Sequence, residues 1–238
     1  MSTRHPRTGA PIPVHPAREG ATPAERRQPP EPGTAVERDM RAVLDVSDLP
    51  TVVYGSRGLV WWGTVGFMVV EGVTLAICIA SYFYLWRNFA SWPPYRTPNP
   101  DLLVPTLGLL VLLGSMVPAY FYHRASERLD KANVQRWLWV DTLVTAVALA
   151  LRFVELDSIN VRWDDNAYGS VVWAIVISHL TLLLVSVFET GTMATMFSTD
   201  REQPKHYSDV ADNAMYTYFM ALAWLPCYVI IYLVPRFT

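Results

Sequence analysis

The chain has 238 residues, of which 52% are hydrophobic and 17% are charged, and its formal net charge is −2. Soluble domains carry about a quarter charged residues, so this composition points away from that class. The near-neutral charge gives no indication of nucleic-acid binding. The two cysteines, Cys78 and Cys227, both lie in apolar runs. That position disfavours a disulfide framework or a zinc site and favours a packing role.

The first 57 residues differ in composition from the rest of the chain. They are rich in proline, arginine, glutamate and alanine, and such a segment buries too little apolar surface to offset the entropy of ordering. We therefore predict two regions, a disordered Pro/Arg-rich cytoplasmic tail over 1–57 and a transmembrane domain over 58–238. The tail contains no apolar run behind a basic start, so we do not expect a cleavable signal peptide.

Five long apolar runs follow the tail. Crossing a bilayer takes about 20 apolar residues, and the predicted spans are 59–86, 102–122, 137–154, 168–197 and 214–234. Backbone polar groups must be satisfied within the segment in lipid, so uninterrupted runs of this length are helices. The predicted fold class is all-α, an integral membrane bundle of five transmembrane helices behind a disordered tail.

Residues near the span ends indicate how the chain sits in the membrane. Aromatic residues typical of an interfacial belt are Trp61, Trp62, Trp86, Trp92, Trp137, Trp139 and Tyr168. Cytoplasmic segments carry more Lys and Arg, and the richer set comprises the tail arginines with Arg124, Arg128, Lys131, Arg136, Arg201 and Lys205. The other side holds Arg87, Arg96, Arg152, Arg162 and Arg236. We predict a cytoplasmic N-terminus and, after five crossings, an external C-terminus.

Ionisable groups inside the spans are candidates for function because each is expensive in hydrocarbon. Glu71 lies in the middle of the first span. One interpretation is a buried polar group that binds a partner subunit or a lipid, or that buffers protons. The other is a protonated carboxyl group that is hydrogen-bonded across a helix pair. The sequence leaves both open.

An ordered series of segments resembles subunit III of the haem-copper (cytochrome c) oxidases. That family has a helix with a mid-membrane glutamate, then an aromatic exit, a Trp-Pro-Pro loop and a proline-led next span. The matching residues here are Glu71, the segment 81–87, Trp92-Pro93-Pro94 and Val104-Pro105. Later matches are Glu155 in Phe153-Val154-Glu155-Leu156, Tyr168-Gly169-Ser170, His179 nine residues further on, and Asp212 at the end of segment 207–212. The chain is identified as a divergent, five-span bacterial form of this family.

Some positions depart from the family pattern. Leu182 stands where the family has a second histidine, and Asp209 stands where a histidine precedes the family's aspartate. Asp141 and Glu189 lie in spans where the family has no equivalent acid. Seven-span members carry two further helices at the N-terminus, where this chain has its tail.

The resemblance implies a non-catalytic subunit of a haem-copper respiratory oxidase, in which oxygen reduction is coupled to proton translocation. It implies no catalytic site or cofactor on this chain, with haem and copper on subunit I. It also implies contact with subunit I, indirect contact with subunit II, bound phospholipid and residence in the bacterial inner membrane. The candidate residues for lipid, proton or subunit contact are Glu71, Glu155, His179, Asp212, Arg87 and Arg96.

Local spacing adds three expectations about the polar residues. Arg152 and Glu155 lie three residues apart, which predicts an ion pair near the outer surface. Arg136 lies about one turn before Asp141 and is placed to neutralise it near the inner interface. His179 has no histidine partner in its span, so an inter-helix hydrogen bond is favoured over metal ligation.

Two alternative functions remain open at this point. The first is a subunit III-like protein associated with nitric oxide reductase, which the departures at Leu182 and Asp209 would allow. The second is a stand-alone proton-coupled transporter using Glu71, Asp141, His179 and Glu189. The transporter is disfavoured because its polar groups are scattered and no broken helix frames a site.

Overall fold

The computed structural model of the chain describes residues 52–237. These residues contain five helices that are long and apolar enough to cross a membrane. We number them α1 (Leu59–Asn88), α2 (Leu103–Glu127), α3 (Lys131–Ser158), α4 (Ala167–Ser198) and α5 (His206–Arg236). The predicted all-α membrane bundle is thereby confirmed. The predicted tail lies outside the described residues as far as residue 51.

The observed helices extend beyond the predicted spans at several ends. The start of α3 at Lys131 precedes the predicted start by two turns, and α2 continues to Glu127. The added turns are polar, because a helix longer than the hydrocarbon layer continues into water. Hydropathy identifies the stretch that lies in lipid, but it does not determine the residues at which the helix begins and ends.

A break divides α2 into the α-helical segments Leu103–Gly114 and Met116–Glu127. Pro118 explains the position of the break, since it cannot donate a hydrogen bond to the carbonyl of Gly114 and its ring crowds that group. The buried hydroxyl of Ser115 donates to the carbonyl oxygen of Leu112 at 2.7 Å. The side chain of Ser115 is therefore hydrogen-bonded despite the break.

The five helices do not contribute equally to the bundle. In the described part of the chain, α3 packs against α2 and α4, whereas α5 packs against α1, α2 and α4. Helix α1 packs against α4 and α5 and buries only 11% of its most apolar stretch, compared with 50% for α5. Helix α1 therefore lies at one edge of the bundle with a broad apolar face uncovered.

We call the end of the bundle that holds residues 127–131 and 198–206 the proximal end, and the end that holds residues 88–103 and 158–167 the distal end. The proximal core is built around Tyr122, Val134 and Phe197. Tyr54, which precedes α1, packs there and donates its hydroxyl to the carbonyl oxygen of Ser126 at 2.8 Å. The predicted orientation would place this end in the cytoplasm and stays a prediction.

Proximal loop contacts cap α3 and attach its first residue to the α4–α5 loop. Asp130 caps α3, and the hydrogen bonds that it accepts from the side-chain amide and then the backbone N–H of Asn133 lower the pKa of Asp130. Lys131 forms ion pairs with Asp200 and Glu202. These charged hydrogen bonds also lower the pKa of Glu202, the Lys131 side chain being the largest cause.

An aromatic cluster closes the distal end and corrects one expectation. Trp92 and Tyr168, which were predicted in an interfacial belt, are both buried. The ring of Trp92 meets the rings of Tyr82 and Tyr168 edge to face, with centroids 5.3 and 5.4 Å apart. The loop between α1 and α2 folds back over the bundle, so a residue close to a span end in sequence lies inside the protein.

Helix α4 starts where the backbone passes very close to the preceding loop. Asn166 caps it by accepting a hydrogen bond from the backbone N–H of Gly169 at 2.9 Å. A Cβ atom on Gly169 would lie 2.2 Å from the carbonyl oxygen of Arg162 and 3.1 Å from a methyl group of Val161. Only glycine fits this position without moving backbone.

We predict that Gly169→Ala destabilises the protein by about 1–3 kcal/mol, because the new methyl group clashes with backbone that cannot turn aside. Gly66→Ala is the matched control, since a Cβ at Gly66 meets nothing within 4 Å. Its effect should stay within about 1 kcal/mol. Thermal unfolding of the two purified variants in detergent measures the difference, and equal midpoints would contradict the close approach.

Candidate functional site

A buried ion pair lies in the distal half of α3. The guanidinium group of Arg152 donates from one nitrogen to both oxygens of Glu155, each at 2.7 Å. The two side chains are 2% and 1% exposed. The expected pair between these residues is therefore present. Both side chains turn towards the bundle interior, and their expected place near the outer surface of the membrane stays a prediction.

Neighbouring helices complete the surroundings of this pair. The hydroxyl of Tyr232 donates to Glu155 at 2.5 Å, and the Arg152 guanidinium carbon lies 3.7 Å from the centroid of the Trp224 ring. The ring of His179 packs on the same tryptophan with centroids 4.6 Å apart. We call these five residues, Arg152, Glu155, His179, Trp224 and Tyr232, the distal cluster.

The end of α5 positions two members of the distal cluster. Pro226 lies within the helix, and a π-helical turn over Val229–Leu233 follows it. Such turns are often found at functional sites. Trp224 precedes the proline, whereas Tyr232 lies in the π turn. One irregular helix end therefore supplies both the aromatic face for Arg152 and the hydroxyl for Glu155.

The distal cluster has a structural role, which is to stabilise a buried ion pair. Burying two charges is costly, and their attraction offsets that cost only when further hydrogen bonds complete the arrangement. The Tyr232 hydroxyl and the Trp224 ring provide these extra interactions. His179 approaches the carbonyl oxygen of Met220 with Nε2 at 3.1 Å. Residues 52–237 contain no group of three or more side chains that could hold a metal ion.

Glu71 lies apart from the distal cluster, between α1 and α5. Its side chain is buried, and Tyr216 of α5 donates a hydroxyl hydrogen bond to one carboxyl oxygen at 3.1 Å. The other oxygen is buried and has no hydrogen-bond partner among the described residues. The ionisable carboxyl group of Glu189 on α4 is a neighbour of Glu71. The structure therefore groups Glu71 with Tyr216 and Glu189.

The remaining predicted site residues lie elsewhere. Asp212 is buried on α5, one turn before Tyr216, and its charged neighbour is Asp209. Arg87 is exposed in the last turn of α1, beside a groove of about 400 Å³ lined by Phe83, Trp86 and Phe89. Arg96 is exposed at the distal end. Of the six candidates, only Glu155 and His179 share one cluster.

The surroundings of Asp141 differ from the expectation that Arg136 neutralises it. No ion pair joins it to Arg136 within the described residues, because five residues correspond to about 140° around a helix and Arg136 is exposed. The carboxyl group of Asp141 instead faces the hydroxyl of Tyr122 in the interior. Tyr122 lies 3.2 Å from the hydroxyl of Thr217 and accepts from the amide of Asn213 at 3.3 Å.

Several residues of these sites were missed by sequence reasoning. They are aromatic or neutral polar residues of α2 and α5, namely Tyr122, Asn213, Tyr216, Thr217, Trp224 and Tyr232. Polar or aromatic residues four positions apart offered a signal, because such residues lie on one helix face. Examples are Asn213 with Thr217 and Trp224 with Tyr228. The sequence pattern did not indicate which acid each face would meet.

We predict that Glu155→Gln destabilises the protein by about 3–5 kcal/mol, because it leaves the buried Arg152 without a compensating charge. Asp164→Asn is the matched control, since it breaks an ion pair with Arg162 whose side chains are largely exposed. That change should cost less than about 1 kcal/mol. Thermal unfolding in detergent compares them, and similar losses would contradict a compensating role for Glu155.

Comparison with known proteins tests the resemblance found in the sequence. No family model matches it. Cytochrome c oxidase subunit 3 of Synechocystis sp. is 22% identical over 214 residues, which cover 84% of this chain and 86% of that protein. The subunit 3 proteins of Thermostichus vulcanus and Candida parapsilosis are 22% and 24% identical over 74% and 70% of this chain, and over 87% and 65% of their own lengths. Together with the five-helix bundle, these relations confirm the resemblance found in the sequence. The chain is a multi-pass membrane protein that resembles the cytochrome c oxidase subunit III family, as a divergent form, over most of its length.

Proposed function

We propose that this chain is the non-catalytic, subunit III-like component of a haem-copper respiratory oxidase. The observation that carries the proposal is its similarity to proteins named cytochrome c oxidase subunit 3, which extends over 84% of the chain in the longest match. In this proposal haem and copper belong to subunit I. The present chain stabilises that subunit, holds phospholipid and supports proton uptake.

The outer face of α1 is the proposed contact with subunit I. Helix α1 lies at the edge of the bundle, and its most exposed mid-helix residues are apolar, among them Val69, Val70, Val73 and Ile77. Gly72 opens a shallow notch beside them, with Phe219 of α5 on its other side. Small residues let helix backbones approach closely in lipid. This face therefore suits a helix of the larger subunit.

The test is purification through a tag on this chain in mild detergent, with a subunit list and an optical spectrum of the product. We expect a haem-copper subunit to co-purify. A nitric oxide reductase partner would place the chain in the alternative branch. Recovery of the chain alone from membranes that contain the oxidase would contradict the proposal. Substrate flux by the chain in liposomes would instead support the transporter alternative.

A substitution on α1 tests the contact face. We predict that Val73→Trp lowers the amount of co-purified haem about tenfold or more, because a bulky ring at the notch prevents close helix packing. Leu143→Trp on α3 is the matched control, since Leu143 is an equally central and even more exposed residue of another helix. It should retain the partner. Equal retention by both variants would place the contact elsewhere.

Glu71 and Arg87 carry the proposed proton and lipid roles. Glu71 is buried with one unpaired oxygen, which suits a group that takes up and releases a proton. Arg87 stands at the distal end beside the groove lined by Phe83, Trp86 and Phe89. The aromatic walls suit an acyl chain, and the guanidinium group suits a phosphate. The proposal assigns lipid binding to this groove.

We predict that Arg87→Gln reduces the phospholipid retained by the purified protein, since it removes the cation that pairs with the phosphate. Arg162→Gln is the matched control, because Arg162 is also exposed at the distal end but forms an ion pair with Asp164. Native mass spectrometry counts the lipid bound to each variant. Unchanged lipid in Arg87→Gln would remove this arginine from the lipid site.

A further inference from the structure

Four helices meet at a buried polar joint in the proximal half of the bundle, which comprises Asp141, Tyr122, Thr190, Asn213 and Thr217. Asp141 comes from α3, Tyr122 from α2, Thr190 from α4, and the other two from α5. All five side chains are at most 1% exposed. Neither the family resemblance nor the proposed function gives this joint a role.

Almost every hydroxyl and amide hydrogen of the joint already has an acceptor. The amide of Asn213 donates to the hydroxyl oxygens of Tyr122 at 3.3 Å and Thr190 at 3.2 Å. A side-chain amide has only these two hydrogens. Thr217 donates its hydroxyl hydrogen to the backbone carbonyl of Asn213 at 3.1 Å. Thr190 donates its hydroxyl hydrogen to the side-chain oxygen of Asn213 at 3.5 Å. The hydrogen left to assign is that of Tyr122, whose hydroxyl also lies 3.2 Å from the hydroxyl of Thr217.

Asp141 faces this network and lacks donors. Both of its carboxyl oxygens are buried without a hydrogen-bond partner among the described residues, and it takes part in no ion pair found there. The titratable groups around it are the phenols of Tyr122 on α2 and Tyr218 on α5, which are neutral at physiological pH. Helix α4 contributes the neutral hydroxyl of Thr190. An ionised carboxylate accepts hydrogen bonds only, and this site offers it at most one.

We propose that the polar joint is a proton-binding site in which Asp141 is held as the neutral acid and donates its proton to Tyr122. Tyr122 then donates to Thr217, and Thr217 donates to the carbonyl of Asn213. In this arrangement each hydroxyl gives one hydrogen, and the chain of donors runs from α3 through α2 to α5. The remaining carbonyl oxygen of Asp141 carries no charge, so its burial is far less costly than that of a carboxylate.

The same arrangement makes the joint sensitive to pH. Loss of the proton would leave a carboxylate that could accept at most one hydrogen bond, from the hydroxyl of Tyr122, and Thr217 would then lose that donor. At a pH where the unfolded chain has released the Asp141 proton, the folded state still binds it. Stability therefore falls as the pH rises. Proton release would loosen the joint between α2, α3 and α5 in the proximal half of the bundle. This inference concerns the chain alone and does not depend on the identity of its partner.

The test compares the full-length chain with Asp141→Asn, purified in detergent. An amide is neutral, similar in shape to the protonated acid and able to donate to Tyr122. We expect the thermal midpoint of this variant to stay within about 3 °C of the wild type at mildly acidic pH. We also expect the fall in midpoint towards alkaline pH to be weaker in the variant. Asp157→Asn, an exposed change on the same helix, should leave the pH profile unchanged.

Infrared difference spectra give a second, independent measurement. Subtracting the spectrum of Asp141→Asn from that of the wild type should leave the carbonyl band of a protonated carboxylic acid, shifted in heavy water. The subtraction also removes any band from Glu71. Absence of that band, or a variant as pH-sensitive as the wild type, would overturn the proposal. Stabilisation of the wild type by sodium over choline chloride, lost in Asp141→Asn, would also overturn it by identifying a bound cation.

Discussion

The guanidinium group of Arg152 lies inside a bundle of membrane helices, where a lone charge would be very costly. Its compensation involves two helices, because Glu155 shares α3 with it while Trp224 and Tyr232 come from α5. A third helix joins them, because the ring of His179 on α4 packs against the ring of Trp224. The mutual positions of α3, α4 and α5 in the distal half are therefore constrained by one charge and its partners. Hydrophobic packing alone gives no such directional constraint, since lipid is as apolar as the helix faces.

The proximal half solves a related problem in a different way. Among the described residues Asp141 forms no ion pair, and it lies instead beside the hydrogen-bonded hydroxyl and amide groups of Tyr122, Thr217 and Asn213. The two sites lie in opposite halves of α3, which packs against both α2 and α4. Buried polar groups thus join the helices in both halves of the bundle. Helix α1 takes part in neither site, which leaves its outer face free for a partner.

The family comparison explains the fold and limits what can be carried over from it. The chain keeps a mid-membrane glutamate, and the structure places Tyr216 against it. It lacks the second histidine of the family at Leu182, and His179 is engaged by Trp224 and the Met220 carbonyl instead. The aromatic cluster of Tyr82, Trp92 and Tyr168 fastens the Trp-Pro-Pro loop over the distal end. These residues maintain the bundle, while the proposed contact with subunit I uses a different surface.

The sequence by itself determined the membrane class, the five helices and the acids that would need an explanation. Helix formation in lipid follows from length and apolarity, because the backbone has no other way to satisfy its hydrogen bonds. Helix spacing also predicted the pairing of Arg152 with Glu155. Only the tertiary structure decided that this pair is buried, that Trp92 and Tyr168 lie inside the bundle, and that Asp141 meets Tyr122 rather than Arg136. Each of these outcomes depends on how the helices turn about their axes and on where a loop folds back. Uniformly apolar sequences do not encode those rotations locally, because every face of such a helix is compatible with lipid.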